Sequence, residues 1–213
     1  LARSLFKGEV KIIPVPTDGR WTTTGVNGGS VVAEDAFAKY CRVTTATGPN
    51  STVISRNVVF GLNSNGAGSS RVDWDKDLLM VFNASRTTSN ATAESFIQLK
   101  TAATIGELAA LGIEFRIANL TLKGNAYGTS LGTEVDLGQA LTSTYPVLLV
   151  MFLTSTGVEW FIGNVSKGTL TTADKFPTGM GAAEVNLCIS HDNGGTATQA
   201  DLSVGGIWII QEV

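Results

Sequence analysis

The 213-residue chain carries 15 basic and 18 acidic side chains, a formal net charge of −3, so it lacks the concentrated positive charge that neutralises phosphates, and nucleic acid is not an expected partner. Its 42 serines and threonines and 24 glycines suit strands and turns better than helices. The longest apolar run, VLLVMFL at 147–153, is far shorter than the roughly 20 residues that cross a bilayer as a helix, and no signal-like leader opens the chain; membrane insertion is not expected.

In chain order, residues 1–20 read as an extended arm that overlaps a first apolar stretch, VKIIPV at 10–15. Trp21 follows turn chemistry (TDGR), which makes it a candidate for an exposed ring that stacks on a sugar. Short strands are predicted at 30–35, 39–45 and 52–60, separated by Gly-, Asn- and Pro-rich turns. Asn50 opens an N-x-S/T triplet in one of these turns, as do Asn90 and Asn164 in later ones, and all three are candidate glycan acceptors. Asp73, Asp75 and Asp77 alternate in DWDKD, so an extended chain would project them from one face. A calcium loop would need glycine and glutamate where Leu78 and Ala84 stand, and the acids read instead as a solvated strand entry. Trp74, between them, is the second candidate stacking ring.

Strands are next predicted at 77–84, 95–99 and 112–119, with TIGELAALG (104–112) as the one short helix. LKGNAYG then reads as a loop, and so does TEVDLGQ, which holds Glu134, Asp136 and Gln139. Further strands are expected at 147–154, 158–163, 184–190 and 207–213. Alternation at 158–162 sends Trp160 to the core with Val158 and Ile162, leaving Phe161 more exposed. It also places Cys41 with Val43 but Cys188 with Asn186 and Ser190, which argues against a disulfide between the two cysteines. His191 follows Ser190 and precedes Asp192; adjacent residues of an extended chain point apart, so the trio makes no relay and the histidine reads as a turn cap. No metal-ligand or cofactor spacing occurs, and neither is expected.

About a dozen short strands between turns, with no linker or repeat, imply one all-β domain over 1–213: an antiparallel two-sheet sandwich with at most one short helix. The succession FIQL, GIEFRIANLTLKG, EVDLG, PVLLVMFL, GVEWFIGNVSKGTLTTADKFP and EVNLCISHDNGGTATQADLSVGGIWIIQE resembles the second half of concanavalin A-like jelly rolls. The opening DGRWTTTGVNGG is similar to their usual entry. The resemblance implies a superfamily of lectins, carbohydrate-binding modules, glucanases, laminin-G-type adhesion domains and viral decoration, turret or tail proteins. It also implies that Glu134, Asp136 and Gln139 would fall on the glucanase pattern E-x-D-x-x-E, where the amide at Gln139 cannot exchange a proton. The expected function is therefore a non-enzymatic structural or adhesive protein of a virion surface or similar extracellular assembly. Its expected partners are other structural subunits in a homo-oligomer or lattice, together with glycans. A secreted lectin-like module is the alternative and a glucanase-like hydrolase the third reading.

Overall fold

The computed structural model describes residues 8–13, 21–25, 28–33, 40–45, 51–57, 71–86, 91–102, 104, 106–141, 146–195 and 200–212. In chain order the strands are β1 (Gly8–Ile13), β2 (Thr22–Gly25), β3 (Ser30–Ala33), β4 (Tyr40–Thr44), β5 (Ser51–Asn57), β6 (Arg71–Asp73), β7 (Leu78–Ser85), β8 (Glu94–Lys100) and β9 (Gly112–Ala118). They continue with β10 (Thr121–Tyr127), β11 (Val135–Ala140), β12 (Val147–Thr154), β13 (Gly157–Ile162), β14 (Val165–Leu170), β15 (Ala182–Glu184), β16 (Asn186–Asp192) and β17 (Asp201–Glu212).

Two antiparallel sheets stack face to face. The first runs β14-β13-β12-β7-β17-β4-β3, with β1 also paired to β17; the second runs β11-β10-β9-β8-β16-β5-β2. A two-stranded ribbon, β15-β6, stands apart. The all-β sandwich expected from the turn spacing is the observed architecture, and part of the expected N-terminal arm is a sheet strand.

Alternation explains the core. Leu78, Met80 and Phe82 of β7, Leu149, Met151 and Leu153 of β12, and Ile207 and Ile209 of β17 point inward from the first sheet. They meet Ile97 and Leu99 of β8, Ile113, Phe115 and Ile117 of β9, and Leu187 and Ile189 of β16. Phe82 and Phe115 touch edge to face across the sandwich, centroids 5.6 Å apart. Trp160 is fully buried and its Nε1 donates to the Glu114 carbonyl at 3.0 Å, while Phe161 keeps partial exposure, as the alternation at 158–162 required. In β17 the register slips between Gly205 and Trp208, and Gly206 takes φ +57°. This bulge lets Val204 and Ile207 both face the core.

Three local expectations are corrected. The described residues of 104–112 form no helix: Gly106 has φ +87° and they make bends before entering β9. The loops expected at LKGNAYG and TEVDLGQ are largely strands β10 and β11, because cross-strand pairing to β9 and β10 outweighs their glycine and asparagine content.

Candidate functional site

The outer face of the second sheet carries the densest polar chemistry among the described residues. Cross-strand register sets Asn125, Glu114, Gln98 and Cys188 side by side on β10, β9, β8 and β16. The next row is Lys123, Arg116, Phe96 and Ser190, and Glu94 lies opposite Asp192 beyond it. Because side chains alternate, these groups share a face with one another and not with the core residues between them.

The β8–β9 connection folds back over this face as a strap. Thr101 N donates to Leu111 O at 2.9 Å to close its base, and Leu108 is buried. Sheet side chains hold the strap: Gln98 Nε2 donates to Gly106 O at 2.9 Å, Lys100 Nζ to Thr104 O at 2.9 Å and Asn186 Nδ2 to Thr101 O at 3.4 Å. Cys188 is a buried thiol that donates to Ala102 O at 3.8 Å, and it forms no disulfide.

Under the strap, Glu114 is 1% exposed and accepts a hydrogen bond from Gln98 Nε2 at 2.6 Å. Burial pushes its carboxyl up to about 7, against the opposing pull of Gln98, Lys100 and Arg116. Burial likewise lowers Lys100. Arg116 is the hub: it meets Glu94 at 2.8 Å, Glu107 of the strap at 2.9 Å and Glu134 at 3.1 Å, and lies over the Phe96 ring at 5.4 Å. Burial works to lower its guanidinium, but those three carboxylates raise it overall. Lys123 forms a second, short ion pair with Glu134.

Two depressions flank the strap. One, about 250 Å³, is lined by Glu94, Phe96, Gly106, Glu107, Ser190, His191 and Asp192. The other, about 200 Å³, is lined by Glu107, Glu114, Arg116, Asn125, Leu131, Gly132 and Glu134.

The residues singled out in the sequence are distributed differently. Trp21 is 8% and Trp74 1% exposed, so neither is a stacking platform; both rings are drawn into the sandwich core. Asp75 accepts from Met180 N at 3.1 Å and Gly181 N at 3.2 Å, and Asp73 Oδ1 accepts from Asp75 N. Asp73 and Asp75 thus brace the β6–β15 ribbon, while the Asp77 carbonyl accepts from Glu212 N at 2.9 Å. Glu134 belongs to the site, but Asp136 is exposed and accepts from Gly138 N at 2.8 Å, so the carboxyl that faces Glu134's depression is Glu114 instead.

Asn164 occupies the exposed turn between β13 and β14, while Asn50 and Asn90 lie outside the described residues. His191 is no turn cap: it sits in β16, 1% exposed, with Nδ1 2.6 Å from Ser95 Oγ. Burial, helped by Arg86, lowers it to about 4 and keeps it neutral at pH 7. Ser95 is itself fully buried.

No protein-family model matches the sequence, nor does any curated protein. Solved structures do match the fold. The apo Crh5 transglycosylase aligns with a TM-score of 0.61 at 14% identity, covering 96% of this chain and 84% of that one. The carbohydrate recognition domain of Emp47p aligns at 0.60 and 11%, covering 92% and 90%. A prokaryotic β-1,3-1,4-glucanase (lichenase) derived from a mouse hindgut metagenome aligns at 0.58 and 10%, covering 97% and 99%. The chain also matches a sialidase, of whose length it spans 18%. These neighbours are concanavalin A-like jelly rolls, and the chain has their fold.

Proposed function

We propose that this protein is a non-enzymatic adhesive module of a virion-surface or other extracellular assembly, holding a saccharide on the outer face of its second sheet and meeting other subunits through the first. The observation that carries the saccharide half is the pair of depressions about Arg116, where carboxylates, an amide and a hydroxyl converge beside the Phe96 ring. Sugars offer hydroxyls that donate to carboxylates and accept from amides and hydroxyls, so this mixture matches them. The neighbours named as a carbohydrate recognition domain and a glucanase support the same reading.

The non-enzymatic half rests on occupancy. Retaining hydrolysis needs a free nucleophilic carboxylate about 5–5.5 Å from a proton donor that reaches the substrate. Here Glu114 is closed beneath the strap and bonded to Gln98, and Glu134 is held by both Arg116 and Lys123. A second reading, glucanase-like hydrolysis, has one observation in its favour: Glu114 stays protonated to about pH 7 in the depression that Glu134 lines, so an acid and a carboxylate stand together.

A glycan array followed by titration calorimetry tests the first reading. Binding is expected to at least one saccharide class and to fall about tenfold or more in Arg116→Ala, which releases three carboxylates at once. An array without hits removes the saccharide half. Release of reducing ends from a β-glucan that vanishes in Glu114→Gln would establish the hydrolase instead.

A further inference from the structure

We propose that the depression beside Glu94, Glu107 and Asp192 receives the protonated amine of an amino sugar, so that this face selects an aminated saccharide over its N-acetylated or uronate counterpart. The inference rests on the saccharide reading above and narrows its ligand class.

Charge is the first argument. Three carboxylates, from β8, the strap and β16, line this depression. The guanidinium beside it, Arg116, is already shared among Glu94, Glu107 and Glu134. An acidic sugar therefore meets carboxylates and no uncommitted cation among the described lining residues, whereas an ammonium meets acceptors that solvent already reaches: the Glu94 and Glu107 side chains are 38% and 63% exposed. A charged donor against carboxylates makes the short, strong class of hydrogen bond. A metal ion is the other cation such acids could hold, but no three ligating side chains among the described residues are grouped to hold one.

The second argument is independent of charge. Ser190 is 1% exposed, its Oγ has no hydrogen-bond partner among the described residues, and it shares the outer face with Phe96 and Asp192 at the floor of the depression. A buried hydroxyl left without a hydrogen bond is costly. A ligand N–H or O–H entering the depression supplies the missing partner. At about 250 Å³ the space is close to the lower end of small-molecule sites, roughly 300–1,000 Å³, and suits a single sugar ring. Across the strap, the second depression is lined by Arg116, the Asn125 amide and the carboxyls of Glu107, Glu114 and Glu134, with Arg116 paired to Glu107 and Glu134.

Titration calorimetry at about pH 5.5, where an amine is protonated and exposed carboxylates are ionised, compares three oligosaccharides of equal length: fully deacetylated chito-oligosaccharide, its N-acetylated form and an oligogalacturonate. The deacetylated ligand is expected to bind about tenfold tighter than the acetylated one, with the advantage shrinking in about 1 M salt. Asp192→Asn and Glu107→Gln, each folded by circular dichroism, should lose that preference, so that the deacetylated and acetylated ligands bind each variant alike. Equal or tighter binding of the acetylated or uronate ligand overturns the amine site and leaves the saccharide reading standing. No binding by any of the three, with an empty array, removes both.

Discussion

Glu114 shows how one residue can record a site and work against the fold at the same time. Its carboxyl is raised from 4.5 to about 7 by burial, so the folded chain holds a proton that the unfolded chain releases as pH rises above the ordinary carboxylate range. The associated stability is complete below about pH 4.5 and is lost as pH climbs through about 7, a swing on the order of 3 kcal/mol. His191 runs the opposite way: lowered to about 4, it costs stability as pH falls from 6.5 towards 4. Urea unfolding of the parent and Glu114→Gln at pH values on either side of this window separates the two, because the histidine contribution cancels in the difference. The variant is expected to gain on the parent by up to about 3 kcal/mol between acid and neutral pH; an unchanged difference would mean that Glu114 titrates normally. The sequence held part of this. Alternation in GIEFRIAN sets Glu114 and Arg116 on one face opposite Ile113, Phe115 and Ile117, and a charged pair on the outer face of a central strand was the available signal. What it could not show is the cover: burial of Glu114 comes from a strap attached through Gln98 and Lys100, on another strand.

Elements of this protein are set by what lies across from them as much as by their own residues. Strands such as 147–154 were legible because an aliphatic run between turns has few other fates. β10 was not, since KGN reads as a turn until its glycine is seen against the opposite sheet: a Cβ at Gly124 would stand 2.4 Å from the Trp160 ring. Glycine here is the space that allows an indole from β13 to lie on β10 and donate to the β9 backbone. Gly124→Ala is accordingly expected to destabilise by about 1–3 kcal/mol or more by overpacking, measured by denaturant unfolding. A near-neutral result would show that the two sheets can part without cost at this point. The strap failed as a prediction for a related reason. TIGELAALG has helical spacing, but its carbonyls at Thr104 and Gly106 are claimed by side chains of the preceding strand β8, and tertiary hydrogen bonds of this kind override the intrinsic helix preference.

At the scale of the whole molecule the two sheets differ in what they turn outward. The second presents the charged rows about Arg116. The first presents a continuous apolar row, Trp208, Val81, Val150 and Phe161, directly paired across β17, β7, β12 and β13. Ile210, Leu79 and Phe152 form the row beside it, ending at Glu159. Trp208 is 45% and Leu148 38% exposed. A monomer rarely leaves so broad an apolar surface to water, and the assembly half of the proposed function assigns it to a second copy of the chain: with Glu159 as the one charge in these two rows, two such faces can meet without opposed charges at their centre. Light scattering on the chromatographed protein is therefore expected to give a dimer or larger species, and Trp208→Lys with Val150→Lys to give a monomer, since each lysine would bury an unpaired ammonium in the contact. Saccharide binding on the far sheet should survive in that monomer with unchanged affinity per chain. A parent protein that is monomeric at micromolar concentration would remove the assembly half and leave a lone saccharide-binding jelly roll.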